Sequence, residues 1–202
     1  MARIDSICVY CGSSRGADPV FTDGARRFGQ MLAGEGIRLV YGGGGVGLMG
    51  EVATAAALGG GAVTGIIPTF LVKAERAFRH QAEMIEVADM HERKRLMFEQ
   101  ADAFVALPGG IGTLEELVEQ ITWAQLGQHR KPILLANFKG FWDPFLALIA
   151  HMGNAGFLPR DLPMTILTAT RVEDILPTLR AAAAAIPDRD VHDRDADIAR
   201  RM

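Results

Sequence analysis

The sequence predicts an α/β fold: a doubly wound parallel sheet with helices on both faces. Two observations carry that expectation. Short apolar, β-branched runs alternate with longer helical patterns from one end of the chain to near the other. The length, 202 residues at 49% hydrophobic and 22% charged, suits one domain with a full core and is short for two.

The elements follow in order. "SICVYCG" is the first strand and 19–36 the first helix; "RLVYGG" leads into a helix over 47–59. "AVTGIIP" and "MIEVA" are the next strands, the second followed by a helix over 89–101. "AFVALP" precedes a helix over 113–127, "PILLAN" one over 142–153, and "MTILTAT" one over 171–185. Strand-to-strand connections of this kind cross over right-handedly. Residues 1–186 therefore form a single domain. The last sixteen, 187–202, carry dense mixed charge with little that could pack, and read as a frayed or disordered tail.

Charge and cysteine usage narrow the function. A net charge of -3 offers no overall attraction for nucleic acid. Cys8 and Cys11 form a lone C-x-x-C inside an apolar run, which reads as packing rather than a redox or metal motif. His80, His91, His129, His151 and His192 are scattered without metal-ligand spacing, so no metal is expected. The N-terminal apolar segment is too short for a signal peptide, and no apolar run approaches the roughly 18 residues of a membrane span. The expectation is a cytoplasmic protein with no membrane and no nucleic-acid partner.

In a doubly wound sheet, ligands bind where the strands end. Four unusual segments fall there: "CGSSRG" (Cys11–Gly16), "GGGGVGLMG" (Gly42–Gly50), "ADMHERK" (Ala88–Lys94) and "GGIGT" (Gly109–Thr113). Gly45 to Gly50 matches G-x-G-x-x-G, but the next strand ends in proline where a dinucleotide site needs an acidic residue. "PGGIGT" is the better phosphate cradle, with converging N–H groups and the Thr113 hydroxyl at a helix start. Thr113 and Glu116 also have the spacing of a capping box, so Glu116 is either a cap or a working carboxylate. Leu114, Leu117, Val118 and Ile121 are the expected buried stripe of that helix.

Asp89 and Glu92 predict a helix start at Asp89. Met90, Met97, Phe98 and Ala101 then define its inward face, on which Arg93 and Lys94 fall, while Arg95 can pair outward with Glu92 and Glu99. Cations there gain nothing from the helix dipole, so an anion is expected beside them: a ligand phosphate, or Glu115 and Glu116. His91 reads as a solvated first-turn residue, and Ser13 and Ser14 as turn residues able to reach a ligand.

Together, "CGSSRG", "YGGGGVGLMG", "MHERK" and "PGGIGTLEE" resemble the LONELY GUY (LOG) family of cytokinin riboside 5'-monophosphate phosphoribohydrolases, whose members often carry a "lysine decarboxylase" label. The resemblance runs from about Ser6 to Ala185 and every fixed motif position is present. It implies a Rossmann-like homodimer that hydrolyses the N-glycosidic bond of N6-substituted AMP, and AMP itself, without a cofactor. It implies Arg93 and Glu116 as the catalytic pair. Glu75, Lys94, Gly109, Gly110, Ile111, Gly112, Thr113, Leu114, Glu115 and Thr122, with Ser13, Gly43 and Gly44, are the expected substrate contacts; Ile111 occupies the motif's variable position. Two readings compete. One is a nucleotide or cofactor carrier on the same scaffold. The other is a literal decarboxylase, which needs pyridoxal phosphate on one of Lys73, Lys94, Lys131 or Lys139, and only Lys94 is near the site.

Overall fold

The computed structural model describes residues 4–72, 82–158 and 165–186; Glu75 and the charged tail over 187–202 lie outside the described residues. The described residues form seven strands: β1 (Ser6–Tyr10), β2 (Arg38–Tyr41), β3 (Val63–Pro68), β4 (Glu83–Val87), β5 (Ala103–Ala106), β6 (Ile133–Ala136) and β7 (Ile166–Ala169). All pair in parallel, in the order β4-β3-β2-β1-β5-β6-β7. From β1 the chain steps outward to β4, returns to β5 on the other side of β1, and steps outward again to β7. The direction of winding thus reverses between β1 and β5, and a crevice opens at their carboxyl ends.

Six helices cover the sheet: α1 (Pro19–Gly34), α2 (Gly47–Leu58), α3 (Met90–Glu99), α4 (Ile111–Gln125), α5 (Asp143–Asn154) and α6 (Ile175–Ala184). Alternation along β1 shows how both faces are filled. Ile7, Val9 and Cys11 point into one core with α1, α2 and α6, while Cys8 and Tyr10 point into the other, among residues of α3 and α4. Buried on both sides, the central strands read as continuous apolar runs. Cys8 and Cys11 are buried thiols on opposite faces and form no disulfide. No helix among the described residues is long and apolar enough to cross a membrane.

Two expectations for α4 are corrected. The helix begins at Ile111, two residues before the expected start, with Gly110 as an extended N-cap that makes no side-chain cap bond. Thr113 therefore sits inside the first turn and cannot act as the cap. The Thr113–Glu116 capping box does not form. The buried face is also rotated from the apolar stripe: Thr113, Glu116, Leu117, Gln120 and Ala124 are buried, while Val118 is 41% exposed. Polar residues occupy core-facing positions because that face looks onto the crevice and its floor. The start of α3 is as expected: Asp89 accepts from the N–H groups of His91 and Glu92, and Glu92 reaches back to the Ala88 N–H at 2.9 Å. These backbone bonds, that from Glu92 foremost, hold the Asp89 carboxyl below its ordinary value.

Candidate active site

The parallel register delivers the site. Tyr10 pairs with Ala106 and Val9 with Tyr41, so the chain leaving β1, β2 and β5 emerges side by side. The Gly12 N–H donates to the Pro108 carbonyl at 3.1 Å and ties two of these loops together. Between them lies a cleft of about 290 Å³, with Gly12, Ser13 and Gly42 on one wall and Gly110, Ile111, Gly112 and Thr113 on the other. Met49, Leu71 and Met90 supply apolar surface, and Arg93, Glu115 and Glu116 supply the charge. A larger cavity, about 400 Å³, is lined by residues at the amino ends of β6 and β7, such as Ile133 and Thr165, the sheet edge remote from this chemistry.

Arg93 and Glu116 face each other across the cleft floor. Nη2 of Arg93 is 3.7 Å from the Glu116 carboxylate, with the side chains only 7% and 11% exposed. The same Nη2 donates to the Gly42 carbonyl at 3.3 Å, and Nη1 contacts the Met90 sulfur at 3.6 Å. Arg93 reaches the floor because α3 directs it inward, and it fits because Gly42 has no side chain. A Cβ at Gly42 would stand 1.9 Å from Nη2. Removing one partner of such a buried pair costs on the order of 3–5 kcal/mol, so each holds the other.

The two glycine-flanked helix starts at this edge are used differently. At α2, the first N–H groups are spent internally: Leu48 donates to the carbonyls of Gly12 and Ser14 at 3.0 and 3.3 Å. Gly47, at φ 60°, allows that approach, since a Cβ there would meet the Ser13 backbone at 2.2 Å. At α4 the N-cap is Gly110 and the first N–H groups open on the cleft. A Cβ at Gly110 or at Gly112 would meet nothing within 4 Å, so the start of α4 is accessible as an anion seat. Gly109 serves this turn indirectly, because a Cβ there would collide with the Thr113 hydroxyl.

The expected substrate contacts divide into two groups. Ser13, Gly110, Ile111, Gly112, Thr113 and Glu115 line the cleft with Arg93 and Glu116. Gly43, Gly44, Gly109, Leu114, Lys94 and Thr122 are not among its lining residues. Gly43 and Gly44 are buried behind Gly42, and Leu114 packs into the core beside α4. Lys94 turns toward α4, where its Nζ lies 2.6 Å from Glu115 and 2.9 Å from Glu119. Burial lowers its pKa, but these hydrogen bonds outweigh that and keep the ammonium above its ordinary value. A charged, engaged lysine is a poor Schiff-base nucleophile. Lys131 donates to the Phe98 carbonyl and lies over its ring, and Lys139 pairs with Asp18. Thr122 is on the exposed side of α4 and donates to the Val118 carbonyl at 2.8 Å. Gly42, Met49, Leu71 and Met90 line the cleft and are not among the expected contacts. Gly42 opens the run that holds Gly43 and Gly44, and Met90, expected on the inward face of its helix, stands one helical turn before Arg93.

No group of three or more His, Cys, Asp and Glu among the described residues could hold a metal ion. Comparison with known proteins adds independent information. Residues 49–179 match a family model described as "Possible lysine decarboxylase". The chain is 48% identical over 174 residues to a probable cytokinin riboside 5'-monophosphate phosphoribohydrolase of Oryza sativa subsp. japonica, covering 86% of this chain and 78% of that protein. It is 46% identical over 175 residues to a cytokinin riboside 5'-monophosphate phosphoribohydrolase of Arabidopsis thaliana, covering 87% and 81%. The molybdenum cofactor binding protein of Rippkaea orientalis shares the fold, with a TM-score of 0.65 over 90% of this chain and 98% of that one at 22% identity. The family model spans more than half of the sequence and the relatives match over most of it, so the chain belongs to the LONELY GUY (LOG) family.

Proposed function

We propose that this chain is an N-glycosyl hydrolase that cleaves N6-substituted adenosine 5'-monophosphates, and AMP, into the free base and ribose 5-phosphate. The observation that carries the reading is the buried Arg93–Glu116 pair on the floor of a cleft whose wall is an open helix start. The substrate class is that named for the relatives. The 5'-phosphate sits at the start of α4, on the N–H groups of the Gly110–Thr113 segment with the Thr113 and Ser13 hydroxyls nearby. The sugar then lies over Glu116. As the bond from C1' to the base nitrogen breaks, positive charge grows on the ribose, and the Glu116 carboxylate stabilises it and takes a proton from the attacking water. The purine takes a proton from solvent at a ring nitrogen as the bond breaks and leaves as the neutral base, and the proton on Glu116 returns to solvent, so a second carboxylate is not required. Arg93 holds Glu116 and orients the nucleotide.

Conversion of Glu116→Gln tests this. Its shape is kept and its charge removed, so turnover falls on the order of 10²-fold or more with the fold intact. Chromatography of the base released from AMP and isopentenyl-AMP, with the unphosphorylated riboside as control, reads the result. Wild-type turnover in this variant refutes the assignment. Nucleotide binding without base release by the wild type turns the reading into that of a carrier.

We further propose a homodimer formed through the outer face of α4. Ile111, Val118 and Leu126 are 82%, 41% and 68% exposed, an unusual apolar content for a solvent-facing helix surface. Thr122 stands on this face between Val118 and Leu126, about 16 Å along the axis from Ile111. It is better placed to approach a partner's cleft than its own. Two buried thiols, Cys8 and Cys11, are in keeping with a reducing compartment such as the cytoplasm.

A further inference from the structure

The polar region beneath the cleft extends past Arg93 and Glu116. Gln120 is 0% exposed and lies one turn beyond Glu116 on the same face of α4. Its neighbours on that face, Leu117 and Ala124, belong to the apolar core with Tyr10 and Phe104. Among the described residues, neither the amide oxygen nor the amide nitrogen of Gln120 has a hydrogen-bond partner. Other buried polar groups do: Asn137, for example, donates to Asp143 and accepts from the Trp142 N–H.

The backbone at this point is pinned. The Nε2 of buried His129 is 3.1 Å from the Gln120 carbonyl, and the Lys131 N–H donates to Nδ1 of the same ring at 3.1 Å. An Nδ1 that accepts leaves Nε2 as the donor, so the ring is neutral and clamps α4 at Gln120. The amide is therefore held at a set depth in the floor.

Among the described residues, the Nε–H of Arg93 and one carboxylate oxygen of Glu119 are also buried without hydrogen-bond partners. Tyr10 is stacked on Phe104 with ring centroids 5.9 Å apart. Burial, followed by the neighbouring Cys8 thiol and the carboxylates of Glu116 and Glu119, pushes its phenol well up. A buried amide with nothing to bond costs stability, and an apolar side chain of similar shape would avoid that cost. The donors and acceptors also match in kind: the N–H groups of Arg93 and Gln120, and the oxygens of Gln120 and Glu119. A buried water making about three hydrogen bonds is the usual way to join such groups.

We propose that Gln120 is a positioning residue for Glu116, its amide joining Arg93 and Glu119 into a buried wall that keeps the Glu116 carboxylate turned to the cleft. It acts through Arg93, whose Nη2 faces Glu116 while its Nε–H is buried without a hydrogen-bond partner among the described residues. The inference rests on Glu116 being the catalytic carboxylate.

The test is Gln120→Met, which keeps length and approximate volume and removes the amide. Turnover at saturating AMP falls about tenfold while KM stays within about twofold, since remote positioning groups act on the reacting geometry. The pH profile of turnover also shifts, because the charges around Glu116 are rearranged: Arg93 of α3 faces it, Tyr10 and Cys8 of β1 feel its charge, and Glu115 and Glu119 beside it on α4 hold Lys94. Wild-type turnover and an unchanged profile together with a raised Tm overturn the proposal, since the amide was then only a cost to the core. In the wild type, the Gln120 side-chain amide resonances shift when ribose 5-phosphate is added. Unmoved resonances overturn the proposal even where Gln120→Met fails to fold. An active Glu116→Gln sinks the underlying reading, whereas an inactive Glu116→Gln beside a fully active Gln120→Met sinks this inference alone.

Discussion

Replacement of Gly42 by alanine probes the cleft floor with one methyl group. The added Cβ would stand 1.9 Å from Nη2 of Arg93 and 3.0 Å from its Cζ, against the 3.4 Å at which ordinary contact begins. The guanidinium must therefore retreat by about 1.5 Å, or β2 must shift against β1 and β3, which hold it on both sides. Retreat breaks the 3.3 Å bond to the Gly42 carbonyl and moves Nη2 from its place 3.7 Å from Glu116. Overpacking of this kind costs about 1–3 kcal/mol, which in a domain of this size lowers Tm by about 4–8 °C for a 2 kcal/mol loss. With Arg93 and Glu116 as the proposed catalytic pair, a displacement of an ångström or more costs on the order of 10²-fold in rate. Base release from AMP and a thermal melt read the two effects together. Gly110→Ala is the stability control, because a Cβ there meets nothing within 4 Å. Wild-type turnover and melting of Gly42→Ala would show that Arg93 is not confined as described.

Two further outcomes follow from the same geometry. The folded-state pKa of Lys94 is raised, so its stabilisation is fully present below its unfolded value near 10.5 and is lost as pH rises through the folded value. Lys94→Met is therefore less stable than wild type at pH 7 to 9, by about 1–2 kcal/mol, and melting curves converge above about pH 10.5; a gap that widens with pH contradicts the ion-pair account. On the outer face of α4, Leu126→Asp is expected to convert the proposed dimer to a monomer in light scattering; a wild type that is monomeric, or a dimer unchanged by that charge, refutes this interface.

The framework of the fold was legible because both faces of the sheet are covered. Strands such as "SICVY" and "FVALP" then read as apolar runs, and the helices between them keep a 3.6-residue pattern. The wall of the site was legible for a different reason: glycines in a row and inward cations are costly, and "PGGIGT" and Arg93 stood out as costs without local benefit. Finer placement failed where those signals coincide. On α4, Val118 belongs to the apolar stripe expected to be buried and is exposed, while Glu116 and Gln120, outside that stripe, are buried. Binary patterning assumes that core-facing positions are apolar, and a helix that lines a buried polar floor on one side and carries exposed Val118 on the other violates that assumption twice. The start of α4 was missed because an extended glycine can serve as N-cap without any side-chain signal. Lys94 could be assigned to the inward side, but which carboxylates take it depends on how α3 and α4 dock, a tertiary fact with no local trace.

The closed start of α2 sets a limit on ligand size. Folds of this winding can seat a pyrophosphate across their crevice with the first glycine-rich turn as the receptor. Here the carbonyls of Gly12 and Ser14 already fill that receptor, and carbonyl oxygens repel the oxygens of a phosphoryl group. The start of α4 is the open helix start of this cleft. For a nucleotide seated there as proposed, any preference for one phosphoryl group over two would reside in the backbone of the chain rather than in a side chain that a single substitution could remove.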